Sequence, residues 1–152
     1  MSEPGEVREA RAPAVGRVVA VDYGDRRIGL AVSDPMRMIA SPAGFILRRP
    51  GKRPPIAEII RRATELEVAE FVIGLPLDDE GNDTPRALEA RHIAQELTSR
   101  TGLPAHLVDE RYTTSAALRA MKEMGTSTRG RKGEVDAVAA ALLLQHALKL
   151  LA

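Results

Sequence analysis

The chain has 152 residues, which is the length of one domain able to bury a sizeable core. It contains no cysteine, so disulfides and thiolate metal sites are excluded. No apolar run approaches the ~20 residues that a membrane-spanning helix needs, and the N-terminus lacks the apolar segment of a signal peptide. We therefore expect a soluble, cytoplasmic protein without a membrane partner.

A formal net charge of +1 hides an uneven distribution of charge along the chain. Residues 48–62 carry six basic side chains against Glu58, and residues 119–132 carry five against Glu123. Residues 64–84, by contrast, carry seven acids and no base. A solvated surface explains any one of these segments, but two basic segments beside an acidic one favour a surface that binds a polyanion. With only two Tyr and two Phe, base stacking on aromatic side chains is not expected.

The predicted elements begin after residues 1–16, which we expect to be a disordered extension of a domain at 17–152. Strands at Val18–Asp22 and Ile28–Ser33 flank a glycine-bearing turn and predict a hairpin. The later predicted elements are a strand at Ala43–Leu47, a helix opened by Pro54 and Pro55, a strand at Glu70–Gly74, a helix opened by Pro85 and ended by Gly102, a strand at Ala105–Val108, a helix capped by Thr113 or Thr114, a basic loop at Gly125–Gly133 and a helix at Val135–Leu151. This order predicts an α/β domain with a mixed sheet, antiparallel at its start and parallel later.

The first strand is apolar on both faces, which is typical of a central strand covered on both sides. It ends in Asp22, and a charge at that position is costly to bury unless something pairs with it. Glu110 similarly ends the last predicted strand, and Asp136 lies in the first turn of the last helix, on its core side. Taken singly, Asp22 could be a turn residue, Glu110 a surface acid, and Asp136 a partner of the helix dipole.

Taken together, the three acids indicate a cation site. Strand ends in an open α/β sheet face the crevice where ligands bind. Three carboxylates that converge there would repel one another unless cations neutralised them. Oxygen ligands alone suit Mg²⁺ or Mn²⁺, and a hard cation beside basic segments is what metal-assisted phosphoryl transfer requires.

Four motifs then resemble one known family. They are DYGDRRIGLAVSD at 22–34, VIGLPL at 72–77 with Gly81, DERYTT at 109–114, and KGEVD at 132–136 leading into AAALLLQ at 139–145. In this order they resemble the YqgF/RuvX family, whose members are described as Holliday junction resolvases and as pre-16S ribosomal RNA nucleases. The resemblance runs from about Arg17 to the C-terminus.

The resemblance implies an RNase H-like fold, with a five-stranded mixed sheet flanked by helices, and a metal-dependent nuclease activity. The acidic positions of the family fall on Asp22, Glu110 and Asp136, with Asp22 expected to bridge two ions and each of the others to complete one site. Asp109 is an alternative or auxiliary ligand. Arg111 is expected to orient the neighbouring acids or to touch the nucleic-acid backbone. The full set of expected nucleic-acid contacts is Arg26, Arg27, Arg111, Arg129, Arg131 and Lys132.

The favoured function is therefore cleavage of phosphodiester bonds in structured nucleic acid, either precursor ribosomal RNA or branched DNA. One alternative is a nuclease-derived module that binds nucleic acid without cutting it. Another is half of an ATP-binding unit of the actin and Hsp70 type, which the turn after Asp22 also resembles. Those proteins need two such domains to enclose ATP, and this chain has room for only one. Cleavage of a symmetric four-way junction would favour a homodimer.

Overall fold

The computed structural model describes residues 15–24, 26–49, 51–111, 113, 118 and 132–151. Its strands and helices, in chain order, are β1 (Arg17–Tyr23), β2 (Arg27–Ser33), β3 (Ala40–Leu47), α1 (Ile56–Glu65), β4 (Val68–Leu75), α2 (Pro85–Thr101), β5 (Ala105–Asp109) and α3 (Lys132–Leu151). Apart from Leu118, the predicted helix after Thr113 lies outside the described residues, as do residues 1–14 of the predicted extension. Among the described helices, none combines the length and the apolar character needed to cross a membrane.

The five strands form one sheet in the order β3-β2-β1-β4-β5. β2 runs antiparallel to both β1 and β3, whereas β4 runs parallel to both β1 and β5. The predicted mixed sheet, antiparallel at its start and parallel later, is therefore confirmed. The predicted hairpin is also confirmed, since the Gly24 amide donates to the Arg27 carbonyl at 3.1 Å and closes the turn between β1 and β2.

The side chains of β1 alternate between two cores. Val19 and Val21 lie in a core that α1 and α2 cover, whereas Val18 and Ala20 lie in a core that α3 covers. Each of these four side chains is at most 1% exposed, which confirms that β1 is a central strand. The two-sided cover makes β1 a rigid element, because its backbone is paired on both edges and packed on both faces.

The helix α2 begins at Pro85 and is closed by Gly102, as predicted. Thr84 caps the helix, and its Oγ1 accepts a hydrogen bond from the Ala87 amide at 3.0 Å. Pro85 occupies the first turn, where a missing N–H costs nothing. Gly102 closes the helix in the left-handed conformation, at φ 76°.

Helix α3 begins earlier than predicted, since Lys132 and Gly133 are helical rather than part of a loop. A Cβ at Gly133 would collide with the ring of Phe45 in β3, so the absence of a side chain lets this turn of the helix pack on the sheet. This close packing on the sheet outweighs the low helix propensity of glycine.

Candidate functional site

Three parallel strands end side by side at one edge of the sheet, and this edge carries the predicted acids. Asp22 is the penultimate residue of β1, and Glu110 directly follows β5. The Glu110 amide still donates to the Leu75 carbonyl of β4, at 3.4 Å, so the pairing extends to this residue. Because β2 is antiparallel to β1, its first residue, Arg27, starts at the same edge.

All three predicted catalytic acids lie on the face of the sheet that α3 covers. Asp22 has the same strand parity as Val18 and Ala20, which pack against α3. Glu110 has the parity of Val108, which belongs to the same core, and Asp136 is part of α3 itself. Their residues are 4%, 2% and 7% exposed, respectively. Burial rules out Glu110 as an ordinary surface acid, and the fold brings the three acids to one end of one face.

Glycines in both strands beside β1 make room for the other two acids. Gly29 of β2 pairs with Asp22, and a Cβ at Gly29 would collide with the backbone carbonyl of Asp136. Gly74 of β4 lies on the other side of β1, and a Cβ there would collide with Oε2 of Glu110. Any side chain at either position would displace α3 or the Glu110 carboxylate.

Asp136 is held by a cation from the hairpin. Arg27 Nε donates to Asp136 Oδ2 at 2.9 Å, with side chains only 17% and 10% exposed. Arg27 was predicted to contact phosphate, and the structure places it against a predicted metal ligand instead of in open solvent. Arg26, its neighbour in the chain, is exposed.

Burial also changes the protonation of Glu110. The pKa of its carboxyl is raised to about 7, mainly by desolvation, against the opposing positive charge of Arg86 and with a smaller upward contribution from Asp109. In the absence of a bound cation, the carboxyl of Glu110 is therefore partly protonated near neutral pH.

Asp109 lies on the opposite face of the sheet from Glu110. It shares the parity of Leu107, which packs against the core under α1 and α2. The Arg111 guanidinium donates to both carboxylate oxygens of Asp109, at distances from 2.8 to 3.2 Å, and lowers the pKa of this carboxyl. The structure thus pairs Asp109 with Arg111 and does not bring it to the other three acids.

The remaining predicted contacts are only partly described. Arg129 and Arg131 lie outside the described residues, and Lys132 is described only as the first residue of α3. Across the described part of the chain, no three acidic or imidazole side chains lie close enough together to hold one metal ion. The three acids therefore lie at one edge of the sheet, but they are not close enough together for all three to bind one ion.

The predicted basic surface at 48–62 is only partly available to a polyanion. Arg61 and Arg62 pair with Glu58, and Arg61 also pairs with Glu65. Arg48 is only 8% exposed in its side chain. Arg49, Lys52 and Arg53 are exposed. Charge counting overestimated this surface, because (i, i+3) and (i, i+4) acids on one helix neutralise the nearby bases.

A cluster that the sequence reasoning missed lies on the other face of the sheet from Asp22. The Arg48 guanidinium stacks 4.3 Å from the centre of the Tyr23 ring and donates to Oε2 of Glu89 at 3.3 Å. Tyr23 donates to the same oxygen at 3.3 Å, and burial is the main cause that raises its pKa to about 12. A cavity of about 440 Å³ lies against Glu89 and is lined by Pro76, Thr84, Pro85, Arg86 and Glu89. The position of Tyr23, next to Asp22 in a central strand, was the one available signal.

Two solved structures define the class of fold. T. thermophilus RuvC, solved in complex with a Holliday junction substrate, aligns with a TM-score of 0.53 at 16% identity, over 89% of this chain and 94% of that one. A fowlpox virus resolvase, solved with Holliday junction DNA, aligns with a TM-score of 0.51 at 9% identity, over 87% of this chain and 98% of that one. The chain therefore has the RNase H-like fold of these resolvases, as its sequence predicted.

Sequence comparison then identifies the family. Residues 16–150 match the family model described as RuvX, Holliday junction resolvase. A relative in Clavibacter michiganensis subsp. michiganensis is 42% identical over 135 residues, or 89% of this chain and 84% of the relative. A second relative, in Rhodobacter capsulatus, is 42% identical over 143 residues, which cover 94% of this chain and 89% of the relative. Both carry the name "Putative pre-16S rRNA nuclease". The chain belongs to the RuvX family, and the predictions of this family and of a nuclease are confirmed.

Proposed function

We propose that this nuclease depends on a divalent metal, Mg²⁺ or Mn²⁺, and hydrolyses phosphodiester bonds in structured nucleic acid. The observation that carries the proposal is the shared location of Asp22, Glu110 and Asp136, which are all buried at one edge and on one face of the sheet. The names of the relatives favour precursor 16S ribosomal RNA as the substrate, and the description of the family favours a four-way DNA junction.

The donor set of this edge fits a hard cation. Carboxylate oxygens are the ligands that Mg²⁺ and Mn²⁺ prefer, and thiolates, which would favour softer metals, are absent from the sequence. A positive group already contacts Asp136, in the form of the Arg27 guanidinium, so this edge accommodates a cation. We assign Asp22, Glu110 and Asp136 to divalent ions at this edge, with no single ion required to take all three, and Asp109 stays with Arg111.

Each of these residues has a defined task in the proposed reaction. A bound divalent ion would polarise the phosphate and lower the pKa of an attacking water. Asp22 supplies a carboxylate whose position the rigid strand β1 determines. Glu110 supplies a carboxylate that must first lose its proton, because burial raises its pKa to about 7. Arg26 and Arg27 lie at the hairpin beside these acids, where guanidinium groups can engage phosphate oxygens. The nucleic-acid backbone on either side of the cleaved bond is assigned to Arg111, Arg129, Arg131 and Lys132.

The test is cleavage of a labelled precursor 16S ribosomal RNA fragment and of a labelled four-way DNA junction. Each substrate is incubated with the purified chain in Mg²⁺, in Mn²⁺ and in EDTA. We expect cleavage of at least one substrate with metal and none in EDTA, and the rates on the two substrates decide between RNA and DNA. Binding without cleavage in every metal would identify a non-catalytic nucleic-acid module and would overturn the proposal.

The variant Asp22→Asn removes one negative charge at nearly constant shape. We expect cleavage to fall below detection while thermal unfolding and affinity for the uncut substrate change little. Asp79→Asn is the matched control, since Asp79 is an exposed acid, and it should cleave as the parent does. Cleavage by Asp22→Asn at the parental rate would remove Asp22 from the proposed site.

On a four-way junction we further propose a homodimer, because two symmetric cuts need two sites. Sedimentation of the chain with and without the junction measures this. Two chains per junction are expected, and one chain per junction would contradict the dimer without affecting the proposed chemistry.

A further inference from the structure

The contact between Arg27 and Asp136 joins the second strand to the last helix. These residues are 109 positions apart in the sequence, and Arg27 Nε lies 2.9 Å from Asp136 Oδ2. The pair is mostly buried, with side chains 17% and 10% exposed. Such a short, shielded contact is screened by salt far less than an exposed ion pair is.

The backbone on both sides holds this pair in place. The Arg27 carbonyl accepts the hydrogen bond that closes the hairpin, and Arg27 pairs with Leu47 in the register of β2 and β3. Two residues further along β2, Gly29 lets the Asp136 backbone approach the sheet directly. The backbones of the sheet and of α3 therefore position the guanidinium next to the carboxylate.

The charge at this edge explains what the contact does. Asp22, Glu110 and Asp136 are buried at the same end of one face of the sheet, and buried negative charges that nothing opposes would destabilise the fold. Arg27 brings one positive charge to Asp136. A divalent cation that takes Asp136 as a ligand has to share the carboxylate with Arg27, which contacts Oδ2, and two positive charges so close together repel each other. The ion and the guanidinium are therefore competitors for one carboxylate.

We propose that Arg27 is an internal counterion that holds Asp136 until a divalent cation replaces it. This inference rests on the proposed function, because it assumes that Asp136 is a metal ligand. Before the ion binds, Arg27 stabilises the fold by opposing the buried negative charge. After the exchange, the Arg27 guanidinium stays beside the site on its hairpin, where the phosphate of a nucleic acid is a new partner for it.

The same exchange connects the two ligands of the site. A phosphate that attracts Arg27 away from Asp136 favours entry of the ion, and the ion favours binding of the phosphate. By linkage, each ligand must raise the affinity of the other by the same factor. Arg27 is thus a positioning residue, since it acts on the ion through Asp136.

The test measures the affinity of Mn²⁺ for the purified full chain by calorimetry, without substrate. We expect Arg27→Gln to bind Mn²⁺ at least about fivefold more tightly than the parent, in the range typical of site-to-site coupling. The same variant should unfold at a lower temperature than the parent in EDTA, and it should gain more thermal stability from Mn²⁺. Arg26→Gln is the matched control, because it removes the same charge from an exposed neighbour, and it should reproduce neither effect.

The variant Arg27→Lys keeps the charge and should restore most of the parental Mn²⁺ affinity, so the inference stays testable if Arg27→Gln does not fold. A residue with a merely structural role would lower the unfolding temperature in Arg27→Gln and leave the Mn²⁺ affinity unchanged, which would overturn the inference. If the parent itself binds no Mn²⁺, the proposed metal site is wrong instead. The two failures are therefore distinguishable.

Discussion

The carboxylate of Glu110 lies directly over Gly74, where the side chain of any other residue would begin. β4 separates β1 from β5 in the sheet, and the Glu110 side chain reaches from the end of β5 into the open space above Gly74 of β4. The glycine is thus part of the site, although it has no side chain to contribute. A glycine inside a buried strand usually weakens the strand, and here it leaves room for the Glu110 carboxylate.

Replacing Gly74 by alanine should therefore damage the site more than the fold. The new methyl group would collide with Glu110 Oε2 and approach Leu143 Cδ2 to 3.1 Å. We expect a loss of about 1–3 kcal/mol in the free energy of unfolding, as for other overpacked cores, and a loss of nuclease activity. Urea denaturation and the cleavage assay measure the two effects.

A double-mutant cycle isolates the cause of that loss. In the background of Glu110→Ala the carboxylate is gone, so Gly74→Ala should cost clearly less stability than it does in the parent. An equal cost in both backgrounds would assign the strain to Leu143 and not to Glu110.

The second prediction concerns the pH dependence of the metal-free protein. The folded chain holds the Glu110 proton up to a pKa of about 7, and the ordinary value is 4.5. The folded state binds this proton more tightly than the unfolded state does. The free energy of unfolding should therefore fall by up to about 3 kcal/mol as the pH rises from about 4.5 to about 7, and change no further above that.

Glu110→Gln removes this dependence, because glutamine does not ionise. In EDTA at pH 8 we expect the variant to unfold at a higher temperature than the parent, while losing activity in metal. Glu134→Gln is the control, since Glu134 is an exposed acid in the same part of α3 as Asp136. A lower unfolding temperature for Glu110→Gln at pH 8 would contradict the raised pKa.

The third prediction concerns Asp34, which organises the turn between β2 and β3. Its carboxylate accepts hydrogen bonds from the amides of Ile39, Met38 and Met36, at 2.7, 2.8 and 3.1 Å. These bonds, with that from Ile39 the strongest, lower the pKa of the carboxyl below its ordinary value of 3.8. Its contribution to stability is complete above pH 3.8 and is lost as the pH falls through the lowered value.

Asp34→Asn should accordingly be less stable than the parent at pH 7, and the difference should shrink in strong acid. Thermal unfolding followed by circular dichroism at a series of pH values measures both curves. Curves that stay parallel down to pH 2 would show that the charge of Asp34 plays no part.

The fourth prediction compares two adjacent arginines. Arg48 stacks on Tyr23 and also donates to the Gly24 carbonyl at 3.2 Å, whereas Arg49 is exposed. Arg48→Met should lower the free energy of unfolding by about 1–3 kcal/mol, through loss of the cation–π contact and the hydrogen bonds. Arg49→Met should change it by less than about 0.5 kcal/mol. Equal effects in the two variants would mean that the Tyr23 cluster contributes nothing to stability.

Patterns that depend on neighbouring residues were readable from the sequence. The apolar run before Asp22 predicted a covered central strand, and the turn after it predicted the hairpin. Pro85 and Gly102 marked the ends of α2, because the residues that begin and end a helix act locally. The location of Glu110 at the same end of the sheet as Asp22 was predictable because the ends of parallel strands share one edge.

Contacts between distant residues were not readable in the same way. A guanidinium such as that of Arg27 is typical of phosphate-binding sites. Its contact with Asp136 becomes visible only in the structure, where α3 packs on Gly29. Arg48 counted as part of a basic surface, but the fold buries it on Tyr23. The start of α3 was misplaced because Phe45, far away in the chain, decides how closely Gly133 can pack. In each case tertiary packing overrides the local signal.

The large sequence separation between Arg27 and Asp136 has a consequence for how the chain folds during its synthesis. A hairpin of adjacent strands can form within microseconds, but contacts between residues 109 positions apart must await closure of a large loop. During synthesis from the N-terminus, Asp22 is therefore in place long before Asp136 leaves the ribosome. If Asp136 is a metal ligand as proposed, a nascent chain that lacks α3 lacks this ligand and should not cleave nucleic acid.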